Sequence, residues 1–290
     1  MKIAFAGLGV MGAPMARHLR VAGHAVAGFN RSPDKARAWA EAHGGRFAAT
    51  VADAAAGAEL LVLCVGNDDD VRQVVSEALP HLDAGAVIVD HTTTSARVAR
   101  ELSALAAETG RFFVDAPVSG GQAGAENGQL SVMAGGDVTA LARIEATVMA
   151  YSKAIKHMGP SGAGQLTKMV NQIAIAGVVQ GLAEAVAFAQ AAGLDTDAAY
   201  DAISKGAAQS WQMDNRWKTA AAGQFEFGFA VDWMRKDLGL VLDEARANGA
   251  SLALTAMVDQ FYSEVQAMGG SRWDTSSLTA RLQARASHKD

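Results

Sequence analysis

Cysteine is almost absent from this 290-residue chain, which contains one, Cys64. A single cysteine cannot form a disulfide within the chain, and a lone thiol in an apolar stretch is most often an inert core residue. A reducing, cytoplasmic setting therefore fits the composition best.

The chain also lacks an excess of positive charge. It carries 25 Lys and Arg against 30 Asp and Glu, which gives a formal net charge of −5. This balance provides no general attraction to nucleic acid or to an anionic membrane, although a local basic cluster could still hold one phosphate. We therefore expect neither nucleic acid nor a membrane as a partner.

Long uninterrupted apolar runs are scarce as well. The N-terminal sequence MKIAFAGLGVMGAPMA resembles a signal peptide superficially, but its glycine spacing indicates another role. The apolar stretch from Val170 to Ala192 is interrupted by asparagine, glutamine and glutamate side chains, which are costly inside a bilayer. We predict a buried helix of a soluble protein there.

Half of the residues are hydrophobic, and the spacing of these residues divides the chain into two parts. From Met1 to about Met158, short apolar runs alternate with amphipathic stretches, which is the pattern of repeated βαβ units. We predict strands in KIAFAG, HAVAGFN, AELLVLCV, GAVIVDH, RFFVDAP, QLSVMAGG and KAIKHMG. The helices predicted between them are Pro14 to Val21, Pro33 to His43, Val71 to Leu79, Ser95 to Thr109 and Val138 to Ala150. The first five of these strands are apolar enough to favour a parallel sheet covered on both faces. The whole pattern predicts a doubly wound α/β domain over residues 1–161.

After Gly159-Pro160 only helical spacing remains, which predicts an all-helical domain over residues 162–290. A long helix rich in alanine, from about Gly162 to Ala192, opens it, and Gly193 is its expected C-terminal cap. Shorter helices are predicted at Thr196 to Lys205, Trp211 to Ala222, Ala230 to Asn248 and Ala253 to Met268. Because small residues let helices approach closely, we expect this domain to form a homodimer or homotetramer.

A glycine motif, Gly7-Leu8-Gly9-Val10-Met11-Gly12, lies between the first predicted strand and the first helix. In this position Gly7 permits a tight turn, Gly9 lets the backbone approach a pyrophosphate, and Gly12 lets the helix pack on the strand. The N–H groups at the helix start then face the anion. The motif predicts a dinucleotide site formed by Gly7, Gly9, Val10, Met11 and Gly12.

The second predicted strand ends in Asn30-Arg31-Ser32, where an acid would favour NAD by binding the ribose hydroxyls. Asn30 does not repel a 2′-phosphate, Arg31 can pair with it or stack on adenine, and Ser32 can donate a hydrogen bond. We therefore expect NADP as the preferred cofactor, with NAD possible, and no metal.

Two further features can carry chemistry. Ser119, Gly120 and Gly121 follow a predicted strand in a loop that exposes backbone N–H groups beside a hydroxyl, which suits a carboxylate. Lys168 shares one helix face with Asn171 and Gln172. Spacing alone leaves two interpretations of Lys168 open, a surface lysine or a partly desolvated acid, base or carbonyl polariser.

Four segments together, GLGVMGAPMA from Gly7, DAPVSGG from Asp115, GAGQLTKMVNQ from Gly162 and KDL from Lys236, resemble the β-hydroxyacid dehydrogenases. This family includes 3-hydroxyisobutyrate dehydrogenase, tartronate semialdehyde reductase and the glyoxylate/succinic semialdehyde reductases. The resemblance covers nearly the whole chain. It implies a Rossmann-type domain followed by an all-α domain entered by a long helix.

The resemblance also implies roles for individual residues. Lys168 matches the catalytic lysine, and Asn171 and Gln172 match the polar pair that orients substrate or lysine. The Asn-Gln pair is similar to that of tartronate semialdehyde reductases, since many relatives have a second Asn. Ser119, Gly120 and Gly121 match the loop that holds the substrate carboxylate. Lys236 and Asp237 match a pair whose lysine closes on nicotinamide or substrate, with Asp237 holding it in position.

The same pattern implies that Thr93 meets the nicotinamide ribose and that Val65, Gly66 and Asn67 line the adenosine side. Gly66 departs from the Leu-Pro of many relatives, which leaves the shape of that side open. The pattern gives His91 no catalytic role, so we assign it to the end of a strand.

The aromatic segment from Gln209 to Trp217 has two interpretations, a substrate pocket or helix packing. We assign a pocket role to Trp211, and Arg216 would suit a second substrate carboxylate if it reached the pocket. The expected substrate is a small β-hydroxy acid or semialdehyde acid. The alternatives are an imine reductase of the same architecture, which typically replaces the lysine, or a dinucleotide-binding scaffold without catalysis.

Overall fold

The computed structural model describes residues 1–286, and the chain divides into two compact units between Lys168 and Met169. The predicted domain boundary, after residue 161, differs from this division by the first turns of one long helix. Each unit has its own hydrophobic core.

The first unit alternates strands and helices along the chain. Its strands are β1 Lys2–Ala6, β2 Ala25–Phe29, β3 Arg46–Phe47, β4 Leu60–Leu63, β5 Val87–Asp90, β6 Phe112–Asp115, β7 Val118–Ser119, β8 Leu130–Gly136 and β9 Ser152–Gly159. Its helices are α1 Gly12–Val21, α2 Pro33–His43, α3 Val51–Ala55, α4 Asp68–Ala78, α5 Ala96–Glu108, α6 Gly121–Glu126 and α7 Val138–Val148. All seven predicted strands and all five predicted helices are present, with ends shifted by a few residues.

The strands form one sheet in the order β3-β2-β1-β4-β5-β6-β8-β7, with β9 paired to β8. From β3 to β6 every pair is parallel, which confirms the doubly wound Rossmann-type arrangement. The far edge of the sheet is mixed, because β8 runs antiparallel to β6 and β7 but parallel to β9. The connection from β6 to β8 contains only β7 and the six-residue α6, not a full-length crossover helix.

Alternation of side chains along the strands gives the sheet two apolar faces. In β1, Ile3 and Phe5 belong to one core, and Ala4 and Ala6 belong to the other. Leu60 to Leu63 in β4 alternate in the same way. Because each fully buried large aliphatic or aromatic side chain contributes roughly 1.5–3 kcal/mol, this two-sided burial stabilises the central strands.

The second unit is helical, as predicted, apart from an isolated bridge between Ala230 and Asp274. The helix α8, Ala163–Ala191, enters it from the first unit and ends at Gly193, whose φ of +69° is the left-handed cap conformation. The other helices are α9 Thr196–Ile203, α10 Trp211–Ala221, α11 Val231–Asn248, α12 Ala253–Ala267 and α13 Leu278–Ala286.

Among the described residues, one helix, α8, is long and apolar enough to cross a bilayer by length and composition. Core helices of soluble proteins pass the same test. Ala176, Val179 and Ala183 of α8 pack into the core of the second unit, whereas Phe188 is 72% exposed. The burial of that face agrees with the predicted core helix.

Candidate active site

The three glycines of the motif after β1 have different surroundings. Gly7 adopts φ +101°, and a Cβ there would lie 2.1 Å from the Cys64 carbonyl oxygen. A Cβ on Gly12 would lie 1.8 Å from the Gly7 carbonyl oxygen, so α1 can pack this closely only because Gly12 lacks a side chain. Around Gly9 a Cβ would meet nothing within 4 Å. The turn is therefore closed on the protein side and open above Gly9, with Val10 68% exposed beside it.

Asn30, at the end of β2, holds this loop in place. Its Oδ1 accepts a hydrogen bond from the Leu8 N–H at 3.0 Å, and its Nδ2 donates to the Ser32 carbonyl at 3.2 Å. The sequence predicted Asn30 as a cofactor contact but not this structural link. Arg31 is 90% exposed, with its guanidinium 3.7 Å from an Asp70 carboxylate oxygen.

The loop after β4 explains the glycine at position 66. The Gly66 N–H donates to Asp70 Oδ2 at 3.2 Å, and a Cβ on Gly66 would lie 2.4 Å from that oxygen. The Asn67 side chain caps α4 by accepting from the Asp70 N–H at 3.0 Å, and the Val65 N–H donates to Thr92 Oγ1 at 3.0 Å. The Asp70 carboxylate thus occupies the space that a side chain at position 66 would need, and both residues belong to the same turn.

His91, directly after β5, is a structural residue. It is 3% exposed; its Nδ1 donates to the Ala116 carbonyl at 2.6 Å, and its Nε2 accepts from the Tyr151 hydroxyl at 2.8 Å. Because a carbonyl can only accept, Nδ1 carries the hydrogen. Nε2 can then accept from the tyrosine hydroxyl, as it does in the neutral form of the ring. Burial lowers the pKa of His91 to about 4. These contacts agree with its assignment to the end of a strand.

Asp115, at the end of β6, anchors the start of α8. Its two carboxylate oxygens accept hydrogen bonds from the Gly162 N–H at 2.7 Å and the Gln165 N–H at 3.0 Å. The carboxylate is buried, which raises its pKa, while these backbone N–H groups oppose that shift. The sequence motif that begins at Asp115 indicated no separate role for this residue. A Cβ on Gly164 would lie 2.5 Å from the Asp115 carbonyl oxygen, so the glycine-rich start of α8 was the available signal.

Lys168 lies one turn further along α8 and is 9% exposed. Its Nζ donates to the Val118 carbonyl at 2.9 Å, in the strand that precedes Gly120 and Gly121. The side chain is therefore buried against the backbone and does not extend into solvent as a surface lysine would. Ser119 is half-buried, and Gly120 and Gly121 are exposed with φ of +132° and +61°. Lys168 and the expected carboxylate loop are thus neighbours within the first unit.

The second unit brings four further site residues together. Asn171 Nδ2 donates to Gln172 Oε1 at 2.8 Å, and Gln172 Nε2 donates to Asp237 Oδ2 at 2.6 Å. Lys236 Nζ lies 3.2 Å from Asp237 Oδ1. The expected contact between Asp237 and Lys236 is present, and Asp237 also fixes Gln172.

Arg216 has a different environment from the one considered for it. Its Nε lies 3.0 Å from a carboxylate oxygen of Asp274, which is 1% exposed, and its guanidinium stacks on the rings of Trp211 and Phe227. Because Arg216 already holds a carboxylate of its own chain, the suggestion that it binds a second substrate carboxylate has no support. Trp211 is 56% exposed.

In the described part of the chain, no cluster of three or more His, Cys, Asp or Glu side chains is arranged to hold a metal ion.

Each of the two units matches a known protein family. A family model described as the NAD binding domain of 6-phosphogluconate dehydrogenase matches residues 2–159. A second, described as NAD-binding of NADP-dependent 3-hydroxyisobutyrate dehydrogenase, matches residues 162–282. An uncharacterized oxidoreductase of Shewanella frigidimarina is 60% identical over 97% of this chain and 98% of its own length.

A solved structure of 3-hydroxyisobutyrate dehydrogenase from Mycobacterium tuberculosis with L-serine is 34% identical to this chain. It superposes with a TM-score of 0.88, covering 97% of this chain and 98% of the other. The chain belongs to the β-hydroxyacid dehydrogenase family, and it is a nicotinamide-dependent dehydrogenase acting on CH–OH groups. An imine reductase from Pseudomonas sp. is 22% identical with a TM-score of 0.60, over 97% of this chain and 98% of the other, and shares the fold alone.

Proposed function

We propose that the protein is an NADP(H)-dependent oxidoreductase that interconverts a small β-hydroxy acid and its semialdehyde acid, with Lys168 as general acid and base. The observation that carries this proposal is the position of Lys168. It is a buried amine whose Nζ contacts the backbone beside the Ser119–Gly121 loop, in the unit that also carries the dinucleotide motif.

The first unit offers a fitting cradle for a nicotinamide dinucleotide. The space above Gly9 admits a pyrophosphate, and the adjoining N–H groups at the start of α1 favour an anion. We assign Gly7, Val10, Met11 and Gly12 to the same contact, and Thr93 to the nicotinamide ribose. When bound, the nicotinamide supplies or accepts the hydride.

Lys168 would move the proton that accompanies the hydride. In reduction its Nζ donates a proton to the carbonyl oxygen, and in oxidation it accepts one from the hydroxyl. Its present hydrogen bond to the Val118 carbonyl keeps the amine pointing at the carboxylate loop. A substrate anchored there would present its β-oxygen to Lys168.

For the substrate carboxylate we propose the N–H groups of Gly120 and Gly121 and the hydroxyl of Ser119. We assign Asn171 to orienting the reacting oxygen and Gln172, Trp211, Lys236 and Asp237 to substrate binding, and we also assign Lys236 to cofactor binding. L-serine, which accompanies the mycobacterial relative, carries a hydroxyl β to its carboxylate. This supports the β-hydroxy acid class.

The preference for NADP rests on the end of β2. Asn30 adds no charge that would repel a 2′-phosphate. Arg31 and Ser32 are both exposed, so the Arg31 guanidinium could pair with the phosphate and the Ser32 hydroxyl could donate to it. Val65, Gly66 and Asn67 would line the adenosine side. The lysine at position 168 disfavours both an imine reductase and a scaffold without catalysis, because each typically lacks it.

We also propose a cytoplasmic homo-oligomer, assembled through the helical unit. Val178 and Phe188 of α8 are 40% and 72% exposed, an apolar surface that a second subunit would cover. Light scattering should report at least a dimer. A monomer at micromolar concentration would contradict this part of the proposal.

The substrate screen is the direct test of the function. NADPH consumption is followed with succinic semialdehyde, glyoxylate, tartronate semialdehyde and methylmalonate semialdehyde, and NADP reduction with 3-hydroxy acids. We expect turnover with at least one acid of this set and none with the matching aldehydes that lack a carboxylate. Equal turnover of acids and simple aldehydes would remove the carboxylate loop from the proposal.

A further inference from the structure

Gln165, in the first turn of α8, is fully buried although it is polar. Its Oε1 accepts from the Thr94 N–H at 3.0 Å, and its Nε2 donates to the Thr92 carbonyl at 2.7 Å. One amide side chain therefore binds the backbone on both sides of Thr93. Neither sequence motifs nor the roles assigned above give Gln165 a function.

This double contact fixes the loop after β5. Thr92 and Thr94 are 3% and 0% exposed, whereas Thr93 between them is only half-buried. Thr92 is further held through its hydroxyl, which accepts from the Val65 N–H. With both neighbours held, the backbone at Thr93 is fixed relative to α8.

The backbone of Gln165 belongs to the part of α8 that carries Lys168. The Gln165 N–H donates to Asp115, and Lys168 follows three residues later on the same helix. Residues three apart on a helix lie on neighbouring positions of its surface. Gln165 therefore joins the Thr93 loop and the Lys168 turn through a single rigid amide.

We propose that Gln165 is a positioning residue that fixes the distance between Lys168 and the nicotinamide-ribose loop at Thr93. This inference rests on the proposed function for the role of those two residues. The clamp itself, which is the pair of hydrogen bonds from the Gln165 amide to the backbone of Thr92 and Thr94, is a feature of the fold. A displacement of about 1 Å between reacting groups can lower turnover about a hundredfold. Loss of either contact of the Gln165 amide should therefore lower kcat more than it weakens cofactor binding.

Gln165→Glu tests the donor and acceptor separately. As a carboxylate, the introduced group still accepts from the Thr94 N–H but cannot donate to the Thr92 carbonyl, which it repels. When protonated, it can make both bonds. Burial disfavours the charged form of a carboxyl and raises its pKa above the ordinary value for glutamate, so the restored contact should form as the pH falls from 8 towards 5.

The expected result is a kcat about 10- to 100-fold below that of the native enzyme at pH 8. The ratio of variant to native kcat should then rise as the pH falls towards 5. The Kd for NADPH, measured by fluorescence titration, should change less than about threefold, because the pyrophosphate cradle is untouched. A ratio that stays constant with pH, or a loss that appears only in NADPH affinity, would overturn the inference.

The matched control is Gln190→Glu, the same change on the same helix. Gln190 Nε2 also donates to a backbone carbonyl, that of Ala221 at 3.0 Å, far along the chain from Gln165. This variant should keep the native kcat and its native pH profile. A pH-dependent recovery in Gln190→Glu as well would show that the effect is general to introduced carboxyls.

A second variant, Gln165→Leu, separates this inference from the proposed function. It removes both contacts, so the Thr94 amide should exchange hydrogen at least tenfold faster, whether or not any substrate has been found. Native-like exchange would overturn the clamp. If no acid in the screen is turned over, the proposed function fails while faster exchange still supports the clamp. If the enzyme is active and exchange is faster but kcat is unchanged, only the positioning role fails.

Discussion

The two units hold several of their buried and half-buried polar side chains in different ways. In the first unit Lys168, His91 and Asp115 bind backbone groups, namely the Val118 carbonyl, the Ala116 carbonyl and the N–H groups at the start of α8. In the second unit charged side chains bind one another, as in the pair Lys236–Asp237 and the pair Arg216–Asp274. A backbone partner is present in any sequence that adopts the fold. A side-chain partner is present only if the right residue occupies that position.

The comparison of the two lysines shows what this difference means for chemistry. A backbone carbonyl accepts a hydrogen bond from an amine in either protonation state, so the contact of Lys168 orients the group without requiring its charge. A carboxylate such as Asp237 attracts the charged form of Lys236. A group that exchanges protons is better served by the first arrangement, and a group that binds an anion by the second.

The largest expected effect follows from exchanging these lysines for methionine, which keeps the length of the side chain. Lys168→Met should lower kcat by about 10²- to 10⁴-fold, because the proposed general acid is lost, while NADPH still binds. Lys236→Met should act mainly through a rise in KM of about tenfold. Steady-state kinetics and NADPH fluorescence titration measure both variants. Equal losses of kcat in the two would contradict the division between proton transfer and binding.

Much of the first unit could be predicted because local patterns determine it. The apolar runs located β1, β2, β4, β5 and β6, and the glycine motif identified the opening above Gly9. The direction of β8 could not be predicted, because apolar alternation is the same in a parallel and an antiparallel strand. Two-residue strands such as β3 and β7 are too short to leave a pattern.

The contacts that support the site were missed because they join distant parts of the chain. Asn30 binds the N–H of Leu8, and Asp115 binds the N–H of Gly162, contacts that exist only once the strands are adjacent. Arg216 was considered as a substrate ligand because of its aromatic neighbours, yet its partner, Asp274, lies 58 residues later. Spacing within a motif identifies chemical groups, and only the fold shows which of them are already occupied.

Acid should weaken the first unit through His91. Its pKa is lowered by burial to about 4, against about 6.5 in the unfolded chain. As the pH falls from 6.5 to 4, the unfolded state gains a proton that the folded state does not, so unfolding becomes easier. The free energy of unfolding should fall by about 3 kcal/mol across this window.

Urea denaturation of the native protein and of His91→Gln at pH 7 and pH 4.5 measures this contribution. The variant should be less stable at pH 7 but should lose less stability between the two pH values. His81→Gln, at an exposed position, is the matched control for the loss of a histidine. If His91→Gln and the native protein lose the same free energy on acidification, the acid sensitivity has another source.

The smallest expected effect concerns Arg31, which the fold leaves 90% exposed at the end of β2. An exposed guanidinium gains little from its own chain, so removing it should not change stability, but a 2′-phosphate would give it a charge-assisted partner. Arg31→Ala should therefore lower kcat/KM for NADPH about tenfold and leave that for NADH nearly unchanged. The matched control is Arg97→Ala, an exposed arginine in α5 that we assign no role in cofactor binding. Equal losses with both cofactors would assign Arg31 to the shared adenosine rather than to the phosphate, and the preference for NADP would then have to come from Asn30 and Ser32.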